Sequence, residues 1–359
     1  MVSMIEIERL TKSYGAFHAV AEFSLTVAKG EFVSLLGPSG SGKTTLLNLI
    51  AGMTRPSSGT IRIDNVDVTN LPPSQRDLGM VFQNYALMPH MTVFENIAFP
   101  LQVRRVPKAE IRRRVAEALD LVRMPQFADR KPRELSGGQQ QRISLARCMV
   151  YRPALILMDE PLGALDKKLR EEMQIEISRL HRDSGITMVC VTHDQEEALS
   201  MSDRIVLMRE GRCVQIGTAD ELYFNPTSSY VADFIGHSNQ LPCTVAEEAA
   251  GQLTIALGDG SQRQAPRPAF ATPPGCGATL HVRPESATLA AAPDAAHALK
   301  GTLEASMVVG SCIKHVVRLD TGDTFLVQEL NHRGRTRPQF GAPVWVGWPT
   351  DAAQLLPPS

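Results

Sequence analysis

The sequence predicts an α/β fold with a largely parallel sheet covered on both faces, followed by a smaller all-β domain. From about Phe32 to Met208, apolar strand-like runs alternate with helical stretches, the pattern of strands joined by crossover helices. Within that region a glycine-rich segment, Gly37-Pro-Ser-Gly-Ser-Gly-Lys43-Thr44, joins an apolar strand to a helix. Near Ser238 the texture changes to short apolar stretches separated by Gly and Pro, as expected of small strands and turns.

Taken in order, residues 4 to about 36 read as short alternating strands with a turn at Ser13-Tyr14-Gly15, ending in the apolar run Phe32 to Leu36. A helix is expected from Lys43 through Ala51, and strands at Thr60 to Ile63 and Gly79 to Phe82. From about Thr92 to Val150 the pattern is helical, which makes a helical lobe over about 88–150. There Ile111, Val115, Ala118 and Leu119 recur at helical spacing and leave Arg112 to Arg114 on a solvated face. Strand and helix resume at Ala154 to Met158, Lys167 to His181, Ile186 to Val191 and Arg204 to Met208. The expected domains are therefore 1–238 and 239–359, the second with an alanine-rich interruption at 287–298.

Composition narrows the function. The chain has 359 residues, enough for two cores, and its 43% hydrophobic and 21% charged residues are those of a soluble globular protein. A net charge of -1, from 37 basic and 38 acidic residues, lacks the electrostatic footprint of a nucleic-acid binder, so nucleic acid is not expected as a partner. No run approaches the roughly 18 apolar residues that cross a bilayer, and Met4 to Leu10 alternate like a strand, so a cytoplasmic protein is expected. Six scattered cysteines without C-x-x-C spacing indicate reduced, mostly buried thiols and neither a zinc site nor a disulfide framework.

The glycine-rich segment carries the first chemistry. Gly37, Gly40 and Gly42, with Pro38, Ser39 and Ser41, let the backbone fold into a nest of N–H donors, and the following helix, through Thr45, adds its positive N-terminal end. Lys43 is placed to reach the β- and γ-phosphates of a nucleoside triphosphate, and the Thr44 hydroxyl to reach Mg2+. The run Leu155 to Met158 ends in Asp159, a carboxylate that needs a partner if buried, and the metal supplies one. Strand alternation then turns Glu160 the other way, toward the attacking water, as base or water-positioning group. His193 and Gln83 also end apolar strands, at the carboxyl edge where phosphates bind. His193 is expected at the γ-phosphate, and Gln83 at the metal or the water.

Leu135-Ser136-Gly137-Gly138-Gln139 precedes a helical run, with Ser136 as N-cap and two glycines that weaken a helix start yet leave N–H groups open to an anion. Together with the phosphate loop, and in the same order, this motif resembles that of the nucleotide-binding subunits of ATP-binding cassette (ABC) transporters. The resemblance implies a P-loop NTPase fold of ABC type with a helical subdomain, binding ATP and Mg2+. It implies that Ser136, Gly137, Gly138 and Gln139 complete the site of a second copy, so that two chains sandwich two ATP molecules. It further gives Tyr14 a place stacking on adenine, Gln83 a link to the membrane partner, and Gly163-Ala-Leu-Asp166 a place at the dimer seam. Serine is more usual in the family where Gly163 stands, which removes one hydroxyl. Met88 to Asn96 is apolar for a loop and is either the surface that docks a permease or packing beneath the helical lobe.

Within the family, His281-Val-Arg-Pro-Glu285, Val309-Gly-Ser311 and Val344-Trp-Val-Gly-Trp-Pro349 resemble the small OB-like (TOBE-type) β-barrel appended to importer ATPases. The stretches Gln75 to His90, Leu162 to Arg170 and Ala232 to Asn239 look most like the spermidine and putrescine group, with iron(III), sugar or organophosphonate importers as alternatives. The resemblance thus implies an energy-coupling ATPase at the cytoplasmic face of the membrane, partnered by permease subunits and indirectly by a substrate-binding protein. A regulatory module that reports nucleotide state is the reading from a different class.

Overall fold

The protein is described by a computed structural model covering residues 2–358 apart from 164, 250–251, 269, 294–296 and 334–337. It divides into two compact units, Met1–Asp220 and Glu221–Ser359.

The first unit is organised around strands buried on both faces. β1 (Ser3–Tyr14), β2 (Phe17–Ala28), β4 (Ser58–Ile63) and β5 (Val66–Asp67) make an antiparallel sheet in the order β2-β1-β4-β5. β3 (Phe32–Leu36), β6 (Gly79–Val81), β7 (Leu155–Asp159), β8 (Thr187–Thr192), β9 (Arg204–Arg209) and β10 (Arg212–Gly217) make the second, in the order β10-β9-β3-β8-β7-β6. There β9, β3, β8, β7 and β6 run parallel, and only the edge strand β10 is antiparallel.

Alternate residues of the parallel strands enter two different cores. Leu155 and Leu157 of β7, with Val189 and Val191 of β8, pack toward the antiparallel sheet and the helix α1 (Lys43–Ala51). Ile156, Met158, Met188 and Cys190 face the other way, into the core that holds the helical elements. A strand buried on both sides has no polar face, which is why these segments read as continuous apolar runs. The helices on that second core are α2 (Val93–Val103), α3 (Lys108–Leu121), α4 (Gly137–Met149) and α5 (Lys167–Ser184). α6 (Gln195–Met201) follows β8 and contributes Met201.

The expected core positions Ile111, Val115, Ala118 and Leu119 are buried on α3. On its outer side Arg113 pairs with Glu110 at 2.7 Å and Glu117 at 2.6 Å, and Arg114 pairs with Glu110 at 2.6 Å, a solvated ion-pair network as expected. All six cysteines are free; Cys148, Cys190 and Cys243 are buried, while Cys213, Cys276 and Cys312 are half-buried, a more even split than composition suggested.

The second unit is all-β after two short helices, α7 (Ala219–Phe224), which spans the division, and α8 (Ser229–Phe234). Its first sheet joins β11 (Asn239–Ala249), β12 (Gln252–Leu257), β13 (Gln262–Pro266), β14 (Gly277–Val282) and β20 (Ala353–Leu356), in the order β13-β12-β11-β14-β20. Its second joins β15 (Thr288–Ala290), β16 (His297–Val309), β17 (Cys312–Leu319), β18 (Thr324–Leu330) and β19 (Pro343–Gly347), in the order β15-β19-β16-β17-β18. One hydrophobic core, including Leu280, Val317, Phe325 and Trp348, is shared by both sheets.

The division of contacts falls earlier than the texture change near Ser238, for an identifiable reason. Buried Arg283 donates from Nη1 to Ala232 O at 2.8 Å and His237 O at 3.1 Å, and from Nη2 to Tyr223 O at 3.0 Å. Those bonds tie the segment from 223 to 237 to the β-rich unit although its sequence is helical.

One buried cation in the first unit fixes the helix that follows the glycine-rich loop. Arg76, 5% exposed, donates from Nη1 to Leu49 O and Ile50 O at 2.8 Å each, and from Nε to Leu71 O at 2.9 Å. It thereby bonds two carbonyls at the C-terminal end of α1, Leu49 O also accepting from Gly52 N at 3.2 Å, and complements the dipole there. Arg76→Ala takes this donor from Ile50 O and Leu71 O, and urea denaturation is expected to show a loss of about 3 kcal/mol in unfolding free energy.

Candidate nucleotide site

The loop Gly37–Gly42 leaves β3 at the carboxyl edge of the parallel sheet and turns directly into α1. Two of its glycines are dictated by close backbone approach. A Cβ on Gly37 would lie 2.2 Å from Met208 O, and one on Gly42, at φ 96°, would lie 2.2 Å from Ala19 O. Only residues without a side chain let the loop nest against β9 and β2 while its amides fan around α1's positive end.

Lys43, the first residue of α1, is 5% exposed. Its Nζ donates to Gly37 O at 2.7 Å and Pro38 O at 2.9 Å, which holds the ammonium over the loop. Burial lowers its pKa, against the opposing pull of Glu160 and Asp159, so all three charges occupy one partly dehydrated site. Thr44 donates from Oγ1 to Asp159 Oδ1 at 3.3 Å. The Asp159 carboxyl is pushed up by burial, and the Thr44 hydrogen bond pulls it back. A hydroxyl and a half-buried carboxylate side by side give oxygen donors suited to a hard cation that keeps phosphate and water ligands. Mg2+ fits that set; no group of three or more His, Cys, Asp or Glu positioned to hold a metal occurs among the described residues.

Glu160 stands at the centre of the second half of the site. β7 ends at Asp159, and Glu160 adopts φ 44°, with its N–H donating to Val191 O at 3.0 Å. The two carboxylates are therefore separated by a left-handed backbone turn, where the sequence suggested strand alternation. Such a conformation is costly for a residue with a side chain and marks an over-determined position. The turned side chain collects two partners from other strands: His193 Nδ1 lies 3.2 Å from Oε1, and Gln83 Nε2 donates to Oε2 at 3.4 Å. The structure thus brings together Lys43, Thr44, Asp159, Glu160, Gln83 and His193, the last being more than half exposed.

The remaining residues of interest lie in separate places. Tyr14 is 55% exposed at the end of β1, with Lys12 Nζ 5.0 Å from its ring centroid. Ser136 caps α4 through a reciprocal box, in which Gln139 N donates to Ser136 Oγ at 3.4 Å and Ser136 N to Gln139 Oε1 at 3.0 Å. α4 begins at Gly137, so the two glycines form its first turn and do not precede it, because the capping box closes around them. Ser136 O also accepts from Gln140 N at 2.9 Å, so the bonds of this cap stay local to α4. Asp166 caps α5 through Leu169 N at 3.1 Å, with Gly163 exposed nearby; Ala164 lies outside the described residues. Of Met88 to Asn96, Asn96 is buried and bonds Met88 N, Met88 O and Met91 O, whereas Pro89, His90 and Glu95 are exposed. The segment is part packing and part surface.

The ABC transporter family model matches residues 20–163 and the TOBE domain model matches residues 280–356. The spermidine/putrescine import ATP-binding protein PotA of Thermobifida fusca is 45% identical over 99% of this chain and 94% of its own length. The chain belongs to the ABC transporter ATP-binding proteins. PotA of Marinobacter nauticus is 44% identical over 99% of this chain and 95% of its own length. A bacterial ABC transporter cassette solved as a dimer is 36% identical, with a TM-score of 0.54 over 60% of this chain and 99% of that one; it has also been solved in a post-hydrolysis state with ADP and Pi.

Sequence reasoning missed how this cassette anchors the turn after Gln83. Tyr85 and Ala86 both have positive φ, 59° and 47°. Their carbonyls accept hydrogen bonds from α4: Ser144 Oγ to Tyr85 O at 3.0 Å, Arg147 Nη2 to Tyr85 O at 2.9 Å, and Arg147 Nη1 to Ala86 O at 2.7 Å. The available signal was an arginine and a serine inside the otherwise apolar run Ile143 to Val150. With the Glu160 carboxylate held by His193 and Gln83 beside the Lys43 loop, Glu160→Gln is expected to lower steady-state ATP hydrolysis by about 100-fold or more while ATP binding persists, as measured by phosphate release and nucleotide titration.

Proposed function

We propose that this chain is the ATP-hydrolysing, energy-coupling subunit of a membrane importer for polyamines of the spermidine and putrescine class. The observation that carries the reading is full-length similarity to relatives named for that import, combined with Glu160, His193 and Gln83 gathered beside the Lys43 loop.

In this reading the triphosphate lies along Gly37, Pro38, Ser39, Gly40, Ser41 and Gly42, held by main-chain amides and by the Lys43 ammonium, with Thr45 on the first turn of α1. Thr44, Asp159 and Gln83 would hold Mg2+, which neutralises developing phosphate charge when bound. Glu160 orients the attacking water and accepts its proton, while His193 contacts the γ-phosphate and keeps Glu160 in place. Tyr14, exposed beyond the loop, stacks on adenine.

This cassette supplies Ser136, Gly137, Gly138 and Gln139 to the nucleotide of a second copy, so each site takes residues from two chains, with Asp166 at the seam. Because phosphoryl transfer depends on positioning and charge stabilisation, a site completed by closure couples hydrolysis to movement. The helical lobe and the exposed part of Met88–Asn96 pass that movement to permease subunits at the cytoplasmic face of the membrane. No helix among the described residues is long and apolar enough to cross a bilayer, so the membrane path belongs to partners. The cargo reaches them through a substrate-binding protein and need not touch this chain.

The complex purified from native membranes tests cargo and coupling together. Spermidine-loaded binding protein is expected to stimulate ATP hydrolysis several-fold, with iron(III)-loaded or sugar-loaded protein inert. Stimulation by one of the others replaces the cargo, and the absence of any membrane partner favours a regulatory module.

A further inference from the structure

Arg170 lies on the first turn of α5 and, among the described residues, makes no hydrogen bond or ion pair with Lys43 or Glu160. Its guanidinium instead reaches two loops. Nη2 donates to Leu165 O at 3.1 Å, in the segment that continues from Glu160 to α5. Nη1 donates to Asp194 Oδ2 at 2.8 Å, the residue directly after His193. Nε lies 3.8 Å from Glu197 Oε1.

The second loop is itself fastened at every residue beside the histidine. Glu197 is 2% exposed, and its Oε2 accepts from Thr192 Oγ1 at 2.6 Å. Thr192 Oγ1 in turn accepts from Asp194 N at 2.9 Å. Asp194 Oδ1 caps α6 by accepting from Glu196 N at 2.8 Å and Glu197 N at 3.3 Å. His193 is thus held between Thr192 and Asp194, with Nδ1 3.2 Å from Glu160 Oε1.

We infer that Arg170 is a positioning residue that ties the loop following Glu160 to the loop carrying His193, fixing the Glu160–His193 pair for hydrolysis. The inference rests on the ATPase reading above. A planar fork with donors in fixed directions suits two acceptors on separate loops, and a lysine ammonium on a flexible stem does not reproduce it. The segment it grips through Leu165 leads to Asp166, the residue assigned to the dimer seam. Arrival of the second copy is therefore transmitted by Arg170 to the hydrolytic pair. The phosphate loop is held by other bonds, from Lys43 to Gly37 O and Pro38 O, so nucleotide affinity does not depend on this clamp.

The test uses the full chain with Arg170→Lys, Asp194→Asn and the double variant, measuring kcat, KM and equilibrium affinity for MgATP, and the melting temperature. Asp194→Asn keeps the Oδ1 cap of α6 and weakens only the bond to Arg170. Each single variant is expected to lose about 10- to 100-fold in kcat, the scale of a small misplacement of reacting groups. KM and affinity are expected to stay within about twofold. The double variant is expected to fall no further than the weaker single one, because both changes break one bond. Wild-type kcat in Arg170→Lys overturns the inference, as does a loss of affinity and melting temperature in proportion to kcat, or additive effects in the double variant. A wild-type chain that binds but does not hydrolyse ATP overturns the function proposed above and this inference with it.

Discussion

Three charges of opposed sign sharing one partly dehydrated edge of the sheet set the conditions for everything around them. Lys43 is nearly buried, Asp159 is half-buried, and Glu160 is turned into the same space by its backbone. Burial disfavours the charged forms of Lys43 and Asp159, and their mutual attraction opposes it. A folded chain keeps such a cluster only if rigid elements leave it nowhere to relax. β7 and β8, buried on both faces, give that rigidity, and Arg76 holds the far end of α1 by its carbonyls. The field that results is the one a triphosphate and a hard cation need.

A second glycine-bearing motif is built away from this edge. α4 starts with two glycines inside a capping box, and a Cβ on Gly138 would lie 2.8 Å from the Leu169 side chain, so a larger residue there would displace that side chain of α5. That helix is fixed to the turn after Gln83 by Ser144 and Arg147, and α5 is fixed to the His193 loop by Arg170. Two loops at the site are thus anchored to helices of the same unit.

Much of this was legible in the sequence because the chemistry imposes local patterns. The phosphate loop needs its glycines at fixed spacing, the strand before Asp159 must be apolar, and Ser136 with Gln139 writes a capping box. Helix α1 falls on the residues its pattern indicated, Lys43–Ala51, and α3 buries the four positions its periodicity marked. What escaped was set by pairings distant in the chain. The left-handed turn at Glu160 depends on Val191, the place of Arg147 depends on the carbonyls of Tyr85 and Ala86, and the early division of the two units depends on Arg283. No local spacing encodes an arginine that reaches carbonyls some fifty or sixty residues away.

The central claim is that one chain carries two halves of different nucleotide sites, and nucleotide affinity with dimer mass in Lys43→Ala and Ser136→Arg variants tests it most directly. Lys43→Ala is expected to abolish productive ATP binding, whereas Ser136→Arg is expected to bind ATP as a single chain yet fail to form the ATP-dependent dimer. Equal loss of single-chain ATP binding in both variants would place Ser136 and Lys43 in one site and contradict the shared arrangement.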